Sequence, residues 1–158
     1  MKQFAFILSL VLCLSTMTLA QNTSRADELM QQAQTNLKQK EYIKARYLFL
    51  QAYNAFSSQE KYDKAVECGI NASALYHREN YYKEAFELLR GAELLVTGGE
   101  QKSGKAMPEL RFRINKERLQ MYIKLRNAAQ AQLQLNTLDN LAEESGNPEL
   151  TKELLYTQ

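Results

Sequence analysis

Valine and isoleucine nowhere alternate with polar residues over more than a few positions, so the hydrophobic pattern predicts no strand. From Arg25 onward glycine is sparse, proline occurs only at Pro108 and Pro148, and Ala, Leu, Gln, Glu and Lys dominate. These residues lose little rotamer freedom in a helix. Breaks at Phe56-Ser57-Ser58, Glu79-Asn80, Thr97 to Met107 and Ser145-Gly146-Asn147 divide the chain into helices near 25–39, 42–56, 60–78, 82–96, 108–126, 128–144 and 148–158. Ser58 and Asn80 are expected as helix caps, and Pro148 in the first turn of the final helix. Thr97-Gly98-Gly99 and Ser103-Gly104-Lys105 read as a flexible connection, because they lack the preceding strand and the spacing of a phosphate-binding loop.

The pattern also repeats. Tyr42-Ile43-Lys44-Ala45 returns as Tyr62-Asp63-Lys64-Ala65 and as Tyr82-Lys83-Glu84-Ala85, each twenty residues after the last. One helix with its turn is then the repeating unit, and two units make a hairpin. The small alanine allows close approach of a neighbouring backbone, and the tyrosine is placed to cover the end of the preceding helix. On the helix near 108–126, at ~100° per residue, Leu110, Ile114, Met121 and Leu125 form one apolar stripe and Phe112, Leu119 and Ile123 a second. Two stripes suit a helix with neighbours on both sides, as in a stack.

At this point the chain resembles the tetratricopeptide repeat family, in a long variant of about forty residues per hairpin. Tyr42, Ala45, Phe49 and Ala52 follow the order of that family's second helix, and Tyr82, Ala85, Leu89 and Ala92 follow it again. Leu29 and Ala33, then Ala72, Ser73 and Tyr76, stand at first-helix places. A third copy, with Leu119, Tyr122, Ala131 and Leu135, is degenerate, since Ala128 stands where the aromatic belongs. The resemblance covers about residues 25–145. It implies an all-α, right-handed solenoid of about three antiparallel hairpins (25–57, 60–97 and 108–145) plus a C-terminal helix at 148–158. It also implies that the first helix of each hairpin lines a concave groove. Carried across by register, groove positions are Asp27, Met30, Gln34 and Lys38, then Ile70, Ala74, His77 and Arg78, then Arg113, Lys116, Gln120 and Lys124.

The first twenty residues have the build of a cleavable leader: Lys2, an apolar run from Phe4 to Leu14, and Thr18-Leu19-Ala20 before a cut. The run is shorter than the roughly 20 apolar residues that cross a bilayer. Cys13 lies inside it, not at a lipidation position. Residues 21–158 then form one repeat domain, exported to the periplasm or the extracellular space, with no membrane insertion of the mature chain. Cleavage leaves nineteen basic and eighteen acidic side chains and a single cysteine, Cys68. The global charge therefore favours no partner class, and no intramolecular disulfide is available. Asn22-Thr23-Ser24 and Asn71-Ala72-Ser73 match the glycosylation sequon, the first near a terminus and the second within a helix.

Catalytic chemistry finds little support. His77 is the only histidine and sits nine residues from Cys68, about 180° away around the same helix, so the two cannot share a metal. Cys68 reads as a small buried residue. Glu143 with Glu144, and Glu84 with Glu87, lie on polar faces without a pocket to separate their pKa values. We expect no enzyme, no metal and no cofactor. Between Gln101 and Arg126, however, eight cations face only Glu109 and Glu117, a net charge of +6. Without interleaved aromatics this does not suit nucleic acid. It suits a protein or peptide, of acidic character, held by Arg78, Arg113, Lys116, Gln120 and Lys124. The expected function is a scaffolding or protein-binding module of the cell envelope. The alternative implied by the resemblance is the extracytoplasmic sensory input of a membrane-bound histidine kinase or transcriptional regulator.

Overall fold

The structure, a computed structural model, describes residues 25–155. The leader expected over residues 1–20, the sequon at Asn22 and residues 156–158 lie outside the described residues. Seven helices follow one another: α1 (25–38), α2 (Tyr42–Ser58), α3 (Tyr62–Arg78), α4 (Tyr82–Ser103), α5 (Pro108–Lys124), α6 (Ala128–Ser145) and α7 (Pro148–Leu155). No strand occurs among the described residues. None of the described helices is long and apolar enough to cross a membrane.

The three tetrads open α2, α3 and α4, and the turns before them share one geometry. Lys40, Glu60 and Asn80 have φ of 62°, 57° and 67°. In each turn the next residue's N–H donates to the carbonyl five positions back: Glu41 to Asn36, Lys61 to Phe56 and Tyr81 to Tyr76, at 2.9–3.0 Å. Arg126, with φ 55°, repeats the turn between α5 and α6 through Asn127 to Tyr122. These are Schellman closures, in which a left-handed residue lets the last carbonyls of one helix be satisfied before the next begins. Ser58 and Asn80 therefore do not cap the following helices. Asn80 is the left-handed residue that ends α3, and the Ser58 hydroxyl donates back to the Ala55 carbonyl. Asn127 does cap α6, accepting from the Gln130 N–H at 3.2 Å.

The connection expected at Thr97–Met107 is shorter than the sequence suggests, because α4 runs through Gly98 and Gly99 to Ser103 and stops at left-handed Gly104. Gly99 is buried beneath Tyr62, where a Cβ would lie 2.9 Å from the ring and 3.2 Å from Met107 Cε. Close packing, not chain reversal, requires glycine there.

The core consists of three apolar clusters. Ala26, Ala33, Ala45, Phe49, Phe56 and Ala65 belong to the one shared by α1–α3. Val66, Ala85, Leu89 and Val96 meet Ile114 and Met121 in the second, and Phe112 and Leu119 meet Leu138, Leu141, Leu150 and Leu154 in the third. The two stripes of α5 thus face different neighbours, one toward α3 and α4 and the other toward α6 and α7. Both fade at the helix end, where Ile123 and Leu125 are about half-exposed. Ala45, Ala65 and Ala85 are fully buried. Contact of α5 with α3 and α4 is sparser than that of α3 with α2 and α4.

Candidate functional site

The residues expected to bind a partner fall on α3 and α5, and ion pairs and aromatic faces already occupy several of them. Tyr42 and Tyr82 begin α2 and α4, and each receives a cation from the end of the next odd-numbered helix. The Arg78 guanidinium lies 4.0 Å from the Tyr42 ring centroid, and Lys124 Nζ lies 5.8 Å from that of Tyr82. Each cation is desolvated little and keeps its outer side in water. Lys124 also donates to the His77 carbonyl at 3.3 Å.

The basic excess of residues 101–126 is largely met by acids from elsewhere in the chain. Lys102 pairs with Glu60, Lys116 with Glu153 on α7, and Arg118 with Glu93. Arg111 grips Glu100 through two nitrogens, at 2.6 and 3.1 Å, and reaches Thr97 Oγ1 at 3.2 Å. Hydrogen bonding from Arg111 holds the Glu100 carboxyl below its ordinary value, and burial opposes it. The Met107 N–H donates to the same carboxylate at 2.9 Å, so Glu100 fixes both the start of α5 and its first arginine. What remains is narrower than the sequence implies. Lys105, Arg113, Lys124 and Arg126 form no ion pair among the described residues. Arg113, Gln120 and Lys124 are exposed and recur at helical spacing along one face of α5.

Between α3 and α5, His77 Nδ1 stands 3.0 Å from Glu117 Oε1. Both are largely buried, and the second ring nitrogen, Nε2, has no hydrogen-bond partner among the described residues. Burial raises the Glu117 carboxyl above its ordinary value, and the His77 contact and Lys116 pull it partly back. In the sequence Glu117 stands only as one of two acids in a basic arm. Its position forty residues after His77, twice the spacing of the tetrads, is the available signal. The remaining chemistry-bearing residues stay apart. Cys68 is buried, and desolvation pushes its thiol up to about 12, which leaves it protonated and inert. Glu84, Glu87, Glu143 and Glu144 are exposed. Among the described residues no three metal-ligating side chains gather.

A second feature had no sequence signal at all. A cleft of about 580 Å³ runs between α2 and α4, floored by Leu50, Tyr53, Tyr76, Leu88 and Gly91. The Tyr53 ring is seated by two helix-interior glycines. A Cβ on Gly69 would lie 3.1 Å from the ring, and one on Gly91 would lie 2.8 Å from the hydroxyl. Comparison of the chain with family models, curated proteins and solved structures returned no match.

Proposed function

We propose that the protein is a tetratricopeptide-like stack of helical hairpins that holds an acidic protein segment, as a non-enzymatic binding module of the cell envelope. The observation that carries this reading is the selective pairing of cations along α5. Arg111, Lys116 and Arg118 are held by acids of neighbouring helices, whereas Arg113 and Lys124 are exposed and form no ion pair among the described residues. Gln120 lies between them and offers an amide donor. Carboxylates reaching this row gain charge-assisted hydrogen bonds at little desolvation cost. Arg78, packed on Tyr42, extends the cationic character to α3. The same left-handed turn within each hairpin, at Lys40, Asn80 and Arg126, and between the first two at Glu60, supports the repeat reading.

The test is binding of a fluorescent oligoglutamate peptide to the purified protein over a range of salt. The reading predicts saturable binding that weakens as the Debye length falls from about 10 Å at 0.1 M to about 3 Å at 1 M. Absence of binding at low salt contradicts it.

A further inference from the structure

Lys116 stands on the same face of α5 as the exposed cations, yet it meets a carboxylate supplied by α7. At ~100° per residue, Arg113, Lys116, Gln120 and Lys124 fall within about a quarter of the helix circumference. Glu117, turned toward His77, borders this arc on one side. Phe112 and Leu119 border it on the other, next to Lys116, and they share the third apolar cluster with Leu150 and Leu154 of α7. That packing carries α7 to the edge of the cationic row, where Glu153 pairs with Lys116. A carboxylate of this chain therefore already occupies one seat of the row, while Arg113 and Lys124 form no ion pair among the described residues.

The contact is built so that one acid can replace another. At eight residues, α7 is too short to persist as a helix without tertiary packing, and its anchors are the buried Leu150 and Leu154. Glu153 is not one of them. Its side chain is 41% exposed and that of Lys116 is 29% exposed, and an ion pair this open to water contributes little net stability. The Glu153 carboxylate can turn out to solvent while both leucines stay in place, so an incoming carboxylate can take its seat without displacing α7. Lys116 is paired before and after the exchange. The incoming acid consequently gains much less at Lys116 than at Arg113 or Lys124, where it displaces only water.

We propose that Glu153 is a built-in competitor at the cationic row of α5: its carboxylate fills the Lys116 seat, lowers the affinity for acidic segments, and yields only to a segment that also reaches Arg113 and Lys124. This rests on the binding role proposed for α5. The test is a titration at low salt with the fluorescent oligoglutamate peptide. Glu153→Gln keeps the size of the side chain and frees Lys116, so binding should tighten about two- to fivefold, the effect of one exposed cation released to the ligand. The gain should vanish when Lys116→Gln is added, whereas Lys116→Gln alone should leave binding close to that of the parent. Glu149→Gln removes the same charge from α7, but from a residue that faces Lys152 on its own helix, and it should gain clearly less. If the parent binds and Glu153→Gln binds no more tightly, or if Glu149→Gln gains as much, the competitor is overturned and the binding role of α5 stands. If neither the parent nor Glu153→Gln binds, both fall.

Discussion

The two ends of the molecule are built by different rules. Helices α1–α4 are joined by three identical left-handed turns and packed through alanine, with Ala26, Ala33, Ala45, Ala52, Ala65, Ala72, Ala85 and Ala92 all fully buried. Helices α5–α7 pack through Phe112 and leucines, and they meet the first block through Ile114 and Met121, flanked by a polar seam of Arg111, Arg118, Glu93, Glu100, His77 and Glu117. In the first block, shape is set by how little each contact residue protrudes. In the second it is set by volume and by charge partners distant in sequence.

Substitutions that change volume in opposite senses should separate the two. Phe112→Ala opens a cavity in the third cluster and should cost about 3–5 kcal/mol in urea unfolding. Ala45→Leu or Ala85→Leu overpacks a helix contact and should cost about 1–3 kcal/mol. If both alanine variants unfold at the parent's midpoint, the first block is not held by close approach.

The neighbouring glycines of α4 give a smaller and more pointed test. Nothing lies within 4 Å of a Cβ built at Gly98, whereas one at Gly99 strikes Tyr62 at 2.9 Å. Gly98→Ala should stabilise by about 0.5–1 kcal/mol through helix propensity, and Gly99→Ala should destabilise by about 1–3 kcal/mol through overpacking. Equal effects of one sign would mean that this stretch is a linker after all.

The smallest effect concerns the seam. Because burial raises the Glu117 carboxyl in the folded state, its contribution is fully present below the ordinary value of 4.5 and is lost as pH rises through the raised value. Glu117→Gln cannot ionise, so its stability relative to the parent should increase as pH rises from about 4 toward neutrality, the range opened by an elevated carboxyl. Chemical unfolding at several pH values measures this. A variant that loses ground over the same range would show that His77 stabilises the carboxylate beyond the cost of burying it.

These contrasts also explain what the sequence disclosed. The tetrads at Tyr42, Tyr62 and Tyr82 located three helix starts because turn and helix are local events. The stripes of Leu110–Met121 and Phe112–Leu119 foretold that α5 has two neighbours, since helical period alone sets them. Asn80 was misplaced because its usual role as a cap competes with its tolerance of left-handed backbone. Gly98-Gly99 misled because composition does not reveal that Tyr62 lies above. Lys116 reads as free in the sequence, but α7 brings Glu153 to it, and such pairing depends on how helices distant in sequence are placed. Arg113, Gln120 and Lys124 are exposed on one face of α5. The cleft over Tyr53 needed coordinates, because α2, α3 and α4 all contribute to it.

The most direct test of the account compares charge reversals on opposite parts of the surface in the oligoglutamate titration at low salt. Arg113→Glu combined with Lys124→Glu should abolish binding while helical circular dichroism stays that of the parent, and Lys44→Glu, an exposed cation on α2, should leave binding nearly intact. Equal weakening by the two changes, or undiminished binding by the α5 variant, would contradict the claim that the unpaired cations of α5 hold the acidic partner.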